Sequence, residues 1–281
     1  MNWIIPAVAV VVAWLLEHRM RELRQRYVAA VREHLTRSPA LPEGPLTAED
    51  MADLPVPLQK YLKYVGVVGR EKVRNSRMVL EGTMKTAPER AWMLVKTEQY
   101  NFFGTNPARF FFIQGNMGVP VLGLHFYADA TATMEIRLAS VLTVADAKGP
   151  EMNQGETVTV FNDMCLMAPA TLVDRNIKWE TLDPLTVKGT FTNDAISVSA
   201  TLHFDEDGRL TNFVSDDRYM TATGNTYLNA RWSTPIGKYG EFDGLRLPSY
   251  AEVVWHLPEG DYCYGKFSVK KVEYNLKSMR R

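Results

Sequence analysis

The sequence predicts a mainly β protein (α+β), with a large curled antiparallel sheet or half-barrel and an inserted helix, preceded by an N-terminal transmembrane or amphipathic helix. Three observations lead to this fold class. The chain starts with an uncharged apolar stretch, more than ten later segments have the short pattern of strands, and one long segment among them has helical spacing. Brief turns join most strand segments, which is typical of an antiparallel sheet.

The composition is that of a globular protein, with 46% hydrophobic and 23% charged residues. Lys plus Arg equals Asp plus Glu at 32 each, so no overall positive field exists to attract nucleic acid, and we expect no such partner. Two cysteines, Cys165 and Cys263, are too few for a structural zinc site or a disulfide framework. Free thiols are favoured, although a single bridge between them stays open.

The first element is the run WIIPAVAVVVAWLL at residues 3–16, which carries no charge. As a helix it covers about 21 Å, less than the roughly 30 Å of a hydrocarbon core, so spanning needs snorkelling flanks or local thinning. A cleavable signal peptide would begin with basic residues and end with small ones, which this run does not. We therefore expect a single-pass anchor that contacts the lipid bilayer through residues 3–16, with a buried core helix as the alternative.

The anchor continues into a basic flank. Six arginines and three glutamates lie between residues 17 and 37, and the positive-inside rule favours the bacterial cytoplasmic (inner) membrane with the following domain in the cytoplasm. Apolar residues recur there at steps of three and four, which predicts an amphipathic helix lying on lipid headgroups or on the β domain. They are Met20, Leu23, Tyr27, Val31 and Leu35. The predicted organisation is an anchor and juxtamembrane helix at 1–37, a proline-rich linker at 38–46 and a β domain at 47–281.

A short helix opens the β domain, because Thr47-Ala-Glu-Asp50 resembles a capping box and Gly66 follows an apolar helical face. From Val73 onward the period changes to two, with Met78 and Leu80 on one side of the first strand. The further predicted strands are 91–100, 108–114, 121–128, 133–144, 177–182, 186–192, 196–204, 209–218, 226–233, 238–242, 250–257 and 265–275.

One helix interrupts the strands at residues 149–173, where Val158, Phe161, Cys165 and Ala168 have helical spacing, and a short second turn is predicted near Pro169. A curled sheet with a helix over its open side would enclose an apolar cavity.

Common catalytic signatures are missing from the sequence, which contains no G-x-S-x-G elbow, no phosphate-binding glycine loop, no H-E-x-x-H and no CxxC. His125, His203 and His256 lie on predicted strands without close spacing, so ordinary hydrogen-bonding roles are favoured over a metal site. We predict neither a metal nor a cofactor.

The segment ADAKGPEMNQGE at 145–156 is the strongest candidate site, since it places three carboxylates and an amide at a strand-to-helix junction. Those carboxylates could do acid–base chemistry if burial separated their pKa values, or they could simply complement the helix dipole. Arg218, in a polar cluster near a strand end, could complete a pocket or belong to a surface ion-pair network. Trp179 and Trp255, on predicted strands, could line the same pocket or simply pack in the core. The predicted ligand-binding residues are Asp146, Glu151, Gln154, Glu156, Trp179, Arg218 and Trp255.

Several segments resemble an uncharacterised bacterial family of unknown function, over roughly residues 54–275. They are 54–69, 144–156, 177–180, 204–210 and 248–260. The β-rich pattern is also similar to the half-barrel of bacterial lipoprotein and lipid carriers. The resemblance implies a fold and a candidate site, and it implies no reaction. Such carriers work outside the cytoplasmic membrane, whereas the arginines after Leu16 favour an internal domain, so the side of the membrane stays open.

Three functions fit these observations. The leading hypothesis is a membrane-anchored binding module that shelters a lipid or another apolar ligand in a curved-sheet cavity, because an anchor and a β-rich domain occur without a catalytic signature. The first alternative is a hydrolase-like enzyme that uses Asp146, Glu151 or Glu156 as acid or base. The second is a structural or scaffolding membrane protein, which a large exposed apolar patch would indicate.

Overall fold

The structure is a computed structural model that describes residues 4–37 and 44–280, with side chains from residue 21 onward. Its helices are α1 (Ile4–Arg37), α2 (Val56–Val65) and α3 (Pro150–Met167), with 3-10 turns at Glu49–Met51 and Pro169–Val173. Within the described ranges, no helix is both long enough and apolar enough to span a bilayer. The side chains of the predicted anchor at 3–16, and linker residues 38–43, lie outside the described part.

The strands form one large antiparallel sheet and a small two-stranded one, which confirms a mainly β protein. They are β1 (Asn75–Met84), β2 (Met93–Phe102), β3 (Ala108–Asn116), β4 (Pro120–Ala128), β5 (Thr131–Leu138), β6 (Leu142–Lys148), β7 (Ile177–Asp183), β8 (Thr186–Asn193), β9 (Ile196–Phe204), β10 (Leu210–Ser215), β11 (Tyr219–Met220), β12 (Leu228–Asn229), β13 (Arg231–Ser233), β14 (Ile236–Phe242), β15 (Leu245–Leu257) and β16 (Gly260–Tyr274). The main sheet has the order β6-β5-β4-β3-β2-β1-β16-β15-β13-β10-β9-β8-β7, with β14 paired to β15.

The prediction of a single strand at 133–144 was wrong, because a tight turn divides it into β5 and β6. Ala139 and Ser140 form that turn with φ angles of 49° and 64°. Two successive positive φ angles make a hairpin turn that is usually built from glycine or asparagine. Neither residue type is present at 139–140, so this turn has no local signal in the sequence.

The main sheet curves around α3. Nine neighbouring steps separate β5 from β9 in the sheet order, which would hold them roughly 43 Å apart if the sheet were flat. Helix α3 nevertheless contacts both strands. The two halves of the sheet also meet directly, since the Asn193 amide on β8 donates to the Tyr127 hydroxyl on β4 at 2.6 Å.

Helix α3 is buried inside the curve on nearly every side, which explains why it carries apolar residues all around rather than on a single stripe. Val158, Phe161 and Cys165 are fully buried in the main core cluster. The predicted inserted helix and its following short turn are therefore confirmed. Cys165 and the half-buried Cys263 are both free thiols.

The second half of α1 packs on the outer face of the sheet. Leu23, Tyr27 and Val31 are fully buried there against aromatic residues of β2 and β3 that point away from α3, including Phe110 and Phe112. The amphipathic helix predicted from the apolar spacing is therefore confirmed. Of its two predicted locations, on lipid headgroups or on the β domain, residues 21–37 lie on the β domain.

The opening helix has the predicted local signals. The Thr47 amide donates to Asp50 Oδ2 at 2.8 Å, and the Asp50 amide donates back to Thr47 Oγ1 at 3.3 Å, so the capping box encloses a 3-10 turn. Helix α2 follows and ends at Gly66, whose φ of 86° is the left-handed conformation that glycine adopts easily. Leu46, the last residue of the predicted linker, is fully buried in the core.

Candidate functional site

A cavity of about 260 Å³ lies between the inner face of the sheet and α3. Most of its wall is apolar, because period-two alternation directs one face of each strand inward. The main apolar lining residues are Met78, Leu80, Met93, Phe111, Ile113, Val121, Ile136, Leu166, Trp232, Val253, Phe267 and Val269. The interior is therefore not filled solid with side chains.

A charged cluster forms one end of the cavity, centred on Arg109 of β3. Its guanidinium donates from Nη1 to Glu156 Oε2 at 2.9 Å, from Nε to Asp163 Oδ2 at 2.9 Å, and from Nη2 to Gln99 Oε1 at 3.1 Å. Glu156 and Asp163 are seven residues apart on α3, which places both carboxylates on the same helix face. One arginine thus joins both acids to the sheet.

The two carboxylates of this cluster have pKa values displaced in opposite directions. Burial alone would raise the pKa of Glu156, but Arg109, His125 and Arg218 outweigh it and lower this pKa to about 2. Burial raises the pKa of Asp163, because its desolvation exceeds the effect of Arg109 and its hydrogen bonds. The cluster therefore contains one carboxylate that stays ionised and one that is easier to protonate.

Arg218 forms the other cationic side of the cluster. Its guanidinium carbon lies 4.2 Å from the Trp232 ring centroid and 5.4 Å from that of Trp255. Nη1 donates to the Tyr264 hydroxyl at 3.1 Å, and Nη2 lies 3.7 Å from Glu156 Oε1. Stacking on the aromatic rings and these polar contacts hold the guanidinium in one orientation.

The structure brings together three of the seven predicted site residues, namely Glu156, Arg218 and Trp255. Glu156 and Arg218 line the cavity, and Trp255 lies behind Arg218. Gln154 is next to them, with its amide donating to the carbonyl of Asp217 at 3.0 Å. The ligand-binding role of these residues stays a prediction.

The other three predicted residues lie elsewhere. Asp146 is exposed on β6, 3.9 Å from Lys148 Nζ, and Glu151 is half-buried in the first turn of α3. Trp179 packs on Phe161 and donates to the Leu172 carbonyl at 3.1 Å, away from the cavity lining. The helical turn of α3 separates Glu151 from the face that carries Glu156, so closeness in sequence did not bring the carboxylates together.

Sequence reasoning missed Arg109, Asp163 and Gln99, and it treated His125 as an ordinary strand residue. A signal did exist for Arg109 and His125, since each is a polar side chain at an inward strand position between apolar or aromatic chain neighbours. Gln99 had no such signal, because its neighbours on the same strand face, Thr97 and Asn101, are polar as well. Buried polar groups of this kind need partners, which here come from α3. Only the pairing of distant segments shows which partners they find.

A serine, a histidine and an aspartate also lie in series on the outer side of the sheet. Ser233 Oγ is 2.8 Å from His256 Nε2, and His256 Nδ1 is 2.6 Å from Asp261 Oδ1. Ser233 is 2% exposed, however, whereas the Asp261 side chain is 68% exposed. A catalytic triad needs an accessible serine and a shielded aspartate, so this geometry indicates a cross-strand hydrogen-bond chain.

Histidine, cysteine and carboxylate side chains do not gather into a group of three that could hold a metal ion anywhere in the part of the chain that the structure describes. His125 instead lies 3.6 Å from Glu156, and His256 contacts Asp261.

The sequence of this chain matches the profile of one protein family. The sequence profile of the family of unknown function DUF6544 matches residues 44–267. The predicted resemblance to an uncharacterised family is thereby confirmed. The search of curated proteins returned no significant match.

Three solved structures have a distantly similar fold. A domain described as an outer membrane lipoprotein-sorting protein from Vibrio parahaemolyticus is 11% identical, with a TM-score of 0.39, over 72% of this chain and 85% of that one. A DUF1329 family protein from Desulfovibrio piger is 10% identical, with a TM-score of 0.42, over 78% and 92%. A LolA superfamily protein from Nitrosomonas europaea is 9% identical, with a TM-score of 0.38, over 78% and 92%.

Proposed function

The chain belongs to DUF6544, a family of unknown function, and we propose from its cavity that it is a binding module for a lipid or another apolar ligand. The observation that carries the proposal is the open, mostly apolar space between the curved sheet and α3. Its volume of about 260 Å³ lies near the lower end of the roughly 300–1,000 Å³ of small-molecule sites. A slender hydrocarbon chain suits such a space.

The charged cluster at the end of the cavity is a reason to expect that the ligand carries a polar group as well as an apolar part. Each guanidinium nitrogen of Arg109 already donates to a protein acceptor, so only two of its five N–H groups are left to offer an anion. Asp163 accepts its hydrogen bonds through Oδ2. Its other oxygen, Oδ1, accepts none from the described residues and keeps some exposure to solvent. The cluster therefore favours a ligand group that donates a hydrogen bond, such as a hydroxyl or an amine.

The proposal can be tested with two tryptophan substitutions on β1. Leu80 lines the cavity and Val79, its half-buried neighbour, faces the other side of the sheet. We expect Leu80→Trp to fill the cavity and to abolish uptake of a fluorescent fatty alcohol, because overlapping atoms cannot share the space. Val79→Trp should leave uptake unchanged.

Mass spectrometry of lipids that co-purify with the full chain gives a second measurement. We expect apolar species with the unaltered protein and with Val79→Trp, and none with Leu80→Trp. Equal probe uptake by both variants, or a protein that carries no apolar species and takes up no probe, would contradict the binding proposal.

The proposal includes attachment to the bacterial cytoplasmic membrane through residues 3–16, with the domain in the cytoplasm. Its support is the uncharged run and the arginines that follow it. We expect Val10→Asp with Val12→Asp to release the chain from carbonate-washed membranes, because a central aspartate costs roughly 2.5–3.5 kcal/mol on insertion. Gln25→Asp with Ala29→Asp, at exposed positions of α1, is the matched control.

A fluorescent protein fused after Arg281 reports the side of the membrane. Fluorescence of a reporter that folds only in the cytoplasm is expected, and a dark fusion at normal abundance would reverse the orientation.

Hydrolysis is the second candidate function, and one observation favours it. Glu156 and Asp163 face one cavity with pKa values moved apart, which is how acid and base roles are commonly assigned to two carboxylates. Asp146 and Glu151, the other predicted carboxylates, do not line the cavity. If the chain is a hydrolase, Asp163→Asn should abolish turnover of an ester of a long-chain acid and leave uptake of the fatty alcohol in place. Activity equal to that of the unaltered chain would exclude this use of Asp163.

A further inference from the structure

One end of the sheet carries exposed apolar side chains that the cavity does not use. They form what we call the apolar rim: Trp92, Leu94, Met117, Val119, Val141, Leu142 and Val144. We propose that the apolar rim is a docking surface for an anionic lipid bilayer, placed so that the end of the cavity beside it faces the membrane. This inference goes beyond ligand binding, since it names the surface that meets the bilayer.

The rim residues come from three connections that lie at the same end of the sheet. Antiparallel pairing of Met84 with Met93 puts the β1–β2 loop there. Pairing of Asn116 with Pro120 and of Leu138 with Leu142 puts the β3–β4 and β5–β6 turns at the same end. Three separate stretches of sequence thus contribute to one surface.

The exposure of the rim is large for apolar side chains. Leu94 is 75% exposed, Leu142 is 59% exposed and Met117 is 50% exposed. Single exposed apolar residues are common in soluble proteins, but a group of them around one edge marks a surface that contacts another molecule or a membrane.

The cavity reaches the same end of the sheet. Met93, Gly115 and Val121 line it, and each is within two residues of the rim. Thr86, an exposed residue of the β1–β2 loop, also lines the cavity, so solvent meets the cavity here. A bilayer against the rim would therefore lie beside an apolar path into the protein.

The direction of α1 identifies the occupant as a membrane. His34 contacts Phe102 and Phe110 at the far end of β2 and β3, whereas Glu22 lies 3.2 Å from Arg137, one residue before the end of β5. Toward its amino terminus, α1 thus approaches the rim. Residues 4–20 extend the helix by about 25 Å beyond that point at 1.5 Å per residue. This extension contains the apolar run, so both apolar features belong to one end of the molecule.

Charge beside the rim fits anionic headgroups. Lys85 Nζ lies 4.7 Å from the Trp92 ring centroid, and Lys266 Nζ lies 5.4 Å from it. The Lys85 ammonium donates to the Pro88 carbonyl and has no carboxylate partner within the described residues. A tryptophan flanked by lysines is typical of the interface between water and lipid.

The test uses the full chain in vesicles of phosphatidylglycerol and phosphatidylcholine, with a bimane label at a single introduced cysteine. The two labelled variants are Leu142→Cys on the rim and Leu182→Cys on β7, which is 48% exposed at the opposite edge of the sheet. Both carry Cys263→Ser, and Cys165 is fully buried. The vesicles contain lipids with a doxyl quencher on the acyl chain.

We expect the doxyl lipids to reduce bimane fluorescence about two-fold or more at position 142, because docked apolar groups enter roughly 5–10 Å into the headgroup and acyl boundary. Position 182 should be unaffected. Lys85→Glu should weaken quenching at 142 in the anionic vesicles and leave it unchanged in pure phosphatidylcholine.

Equal quenching at positions 142 and 182, or quenching at neither, would overturn the proposal. Quenching at neither position would indicate that the apolar rim binds a protein partner instead of a bilayer. The Leu80→Trp uptake test is independent of this readout. A failed rim with normal uptake is therefore distinguishable from a failed ligand site.

Discussion

Arg109 Nη1 and Glu156 Oε2 lie 2.9 Å apart and join the inner face of β3 to α3 across the end of the cavity. Both side chains are at most 7% exposed. The neighbours of Arg109 on β3 alternate, so that Phe110 and Phe112 face α1 on the other side of the same strand. Because Arg109 faces inward and bonds Glu156, the contact between the sheet and α3 at this point is ionic. The rest of the α3 interface is mostly apolar.

Arg109→Met should lower the free energy of unfolding by about 3–5 kcal/mol, because it leaves Glu156 and Asp163 without their shared cation in a buried site. Chemical denaturation at neutral pH measures the loss. Arg231→Met is the matched control, since its ion pair with Asp216 is more than half exposed, and it should cost less than about 1 kcal/mol. Similar losses in the two variants would show that the buried cluster is not integral to the fold.

Acid should destabilise the protein through Glu156. Its pKa is about 2 in the folded state against 4.5 as the ordinary value, so its stabilising effect is complete above about pH 5 and is lost as pH falls toward 2. A shift of this size corresponds to about 3 kcal/mol. We expect Glu156→Gln to flatten the fall in unfolding free energy between pH 5 and 2. An unchanged slope in this variant would assign the acid sensitivity to other carboxylates.

Tyr27 should respond differently to two substitutions. Its hydroxyl is buried and has no hydrogen-bond partner in the described part of the chain, while its ring packs on Tyr100 and Phe112. Tyr27→Phe should raise the unfolding free energy by about 1–2 kcal/mol, because it removes an unsatisfied polar group. Tyr27→Ala should lower it by about 3–5 kcal/mol through loss of a buried ring. A destabilised Tyr27→Phe would mean that the hydroxyl finds a partner.

Gly82 of β1 should not tolerate a methyl group. A Cβ at this position would lie 1.9 Å from the carbonyl oxygen of Lys266 on the neighbouring β16, which cannot move without disturbing the sheet. Gly82→Ala should cost about 1–3 kcal/mol. Gly115→Ala is the control, because its Cβ would meet only the flexible side chain of Met93, and its cost should be smaller. Thermal unfolding compares the two.

Local signals made much of the fold predictable. The capping box at Thr47, the left-handed Gly66 and the helical spacing of α3 all depend on residues close in sequence. The sheet order was not predictable, since β1 pairs with β16 across almost the whole domain. The turn at Ala139 and Ser140 was missed because neither alanine nor serine favours the positive φ angles that this turn requires.

The site was predictable only in part for the same reason. Glu156 stood out because it lies in a polar segment, but so did Asp146, which is exposed. Arg109 and Asp163 are 54 residues apart, and each alone looks like a surface charge. Their contact at the end of the cavity depends on the curvature that brings β3 onto α3, and no local sequence pattern encodes that contact.

The position of α1 limits how the chain can be shortened for laboratory work. Residues 21–37 cover a cluster of rings that includes Phe102, Phe110 and Phe112, and Leu276 near the carboxyl terminus is buried in the same cluster. A truncated version starting at the linker would leave these rings bare and would tend to self-associate, whatever its inner cavity can hold. Trimming for solubility should therefore stop before Arg21, and carboxyl-terminal tags should leave Leu276 in place.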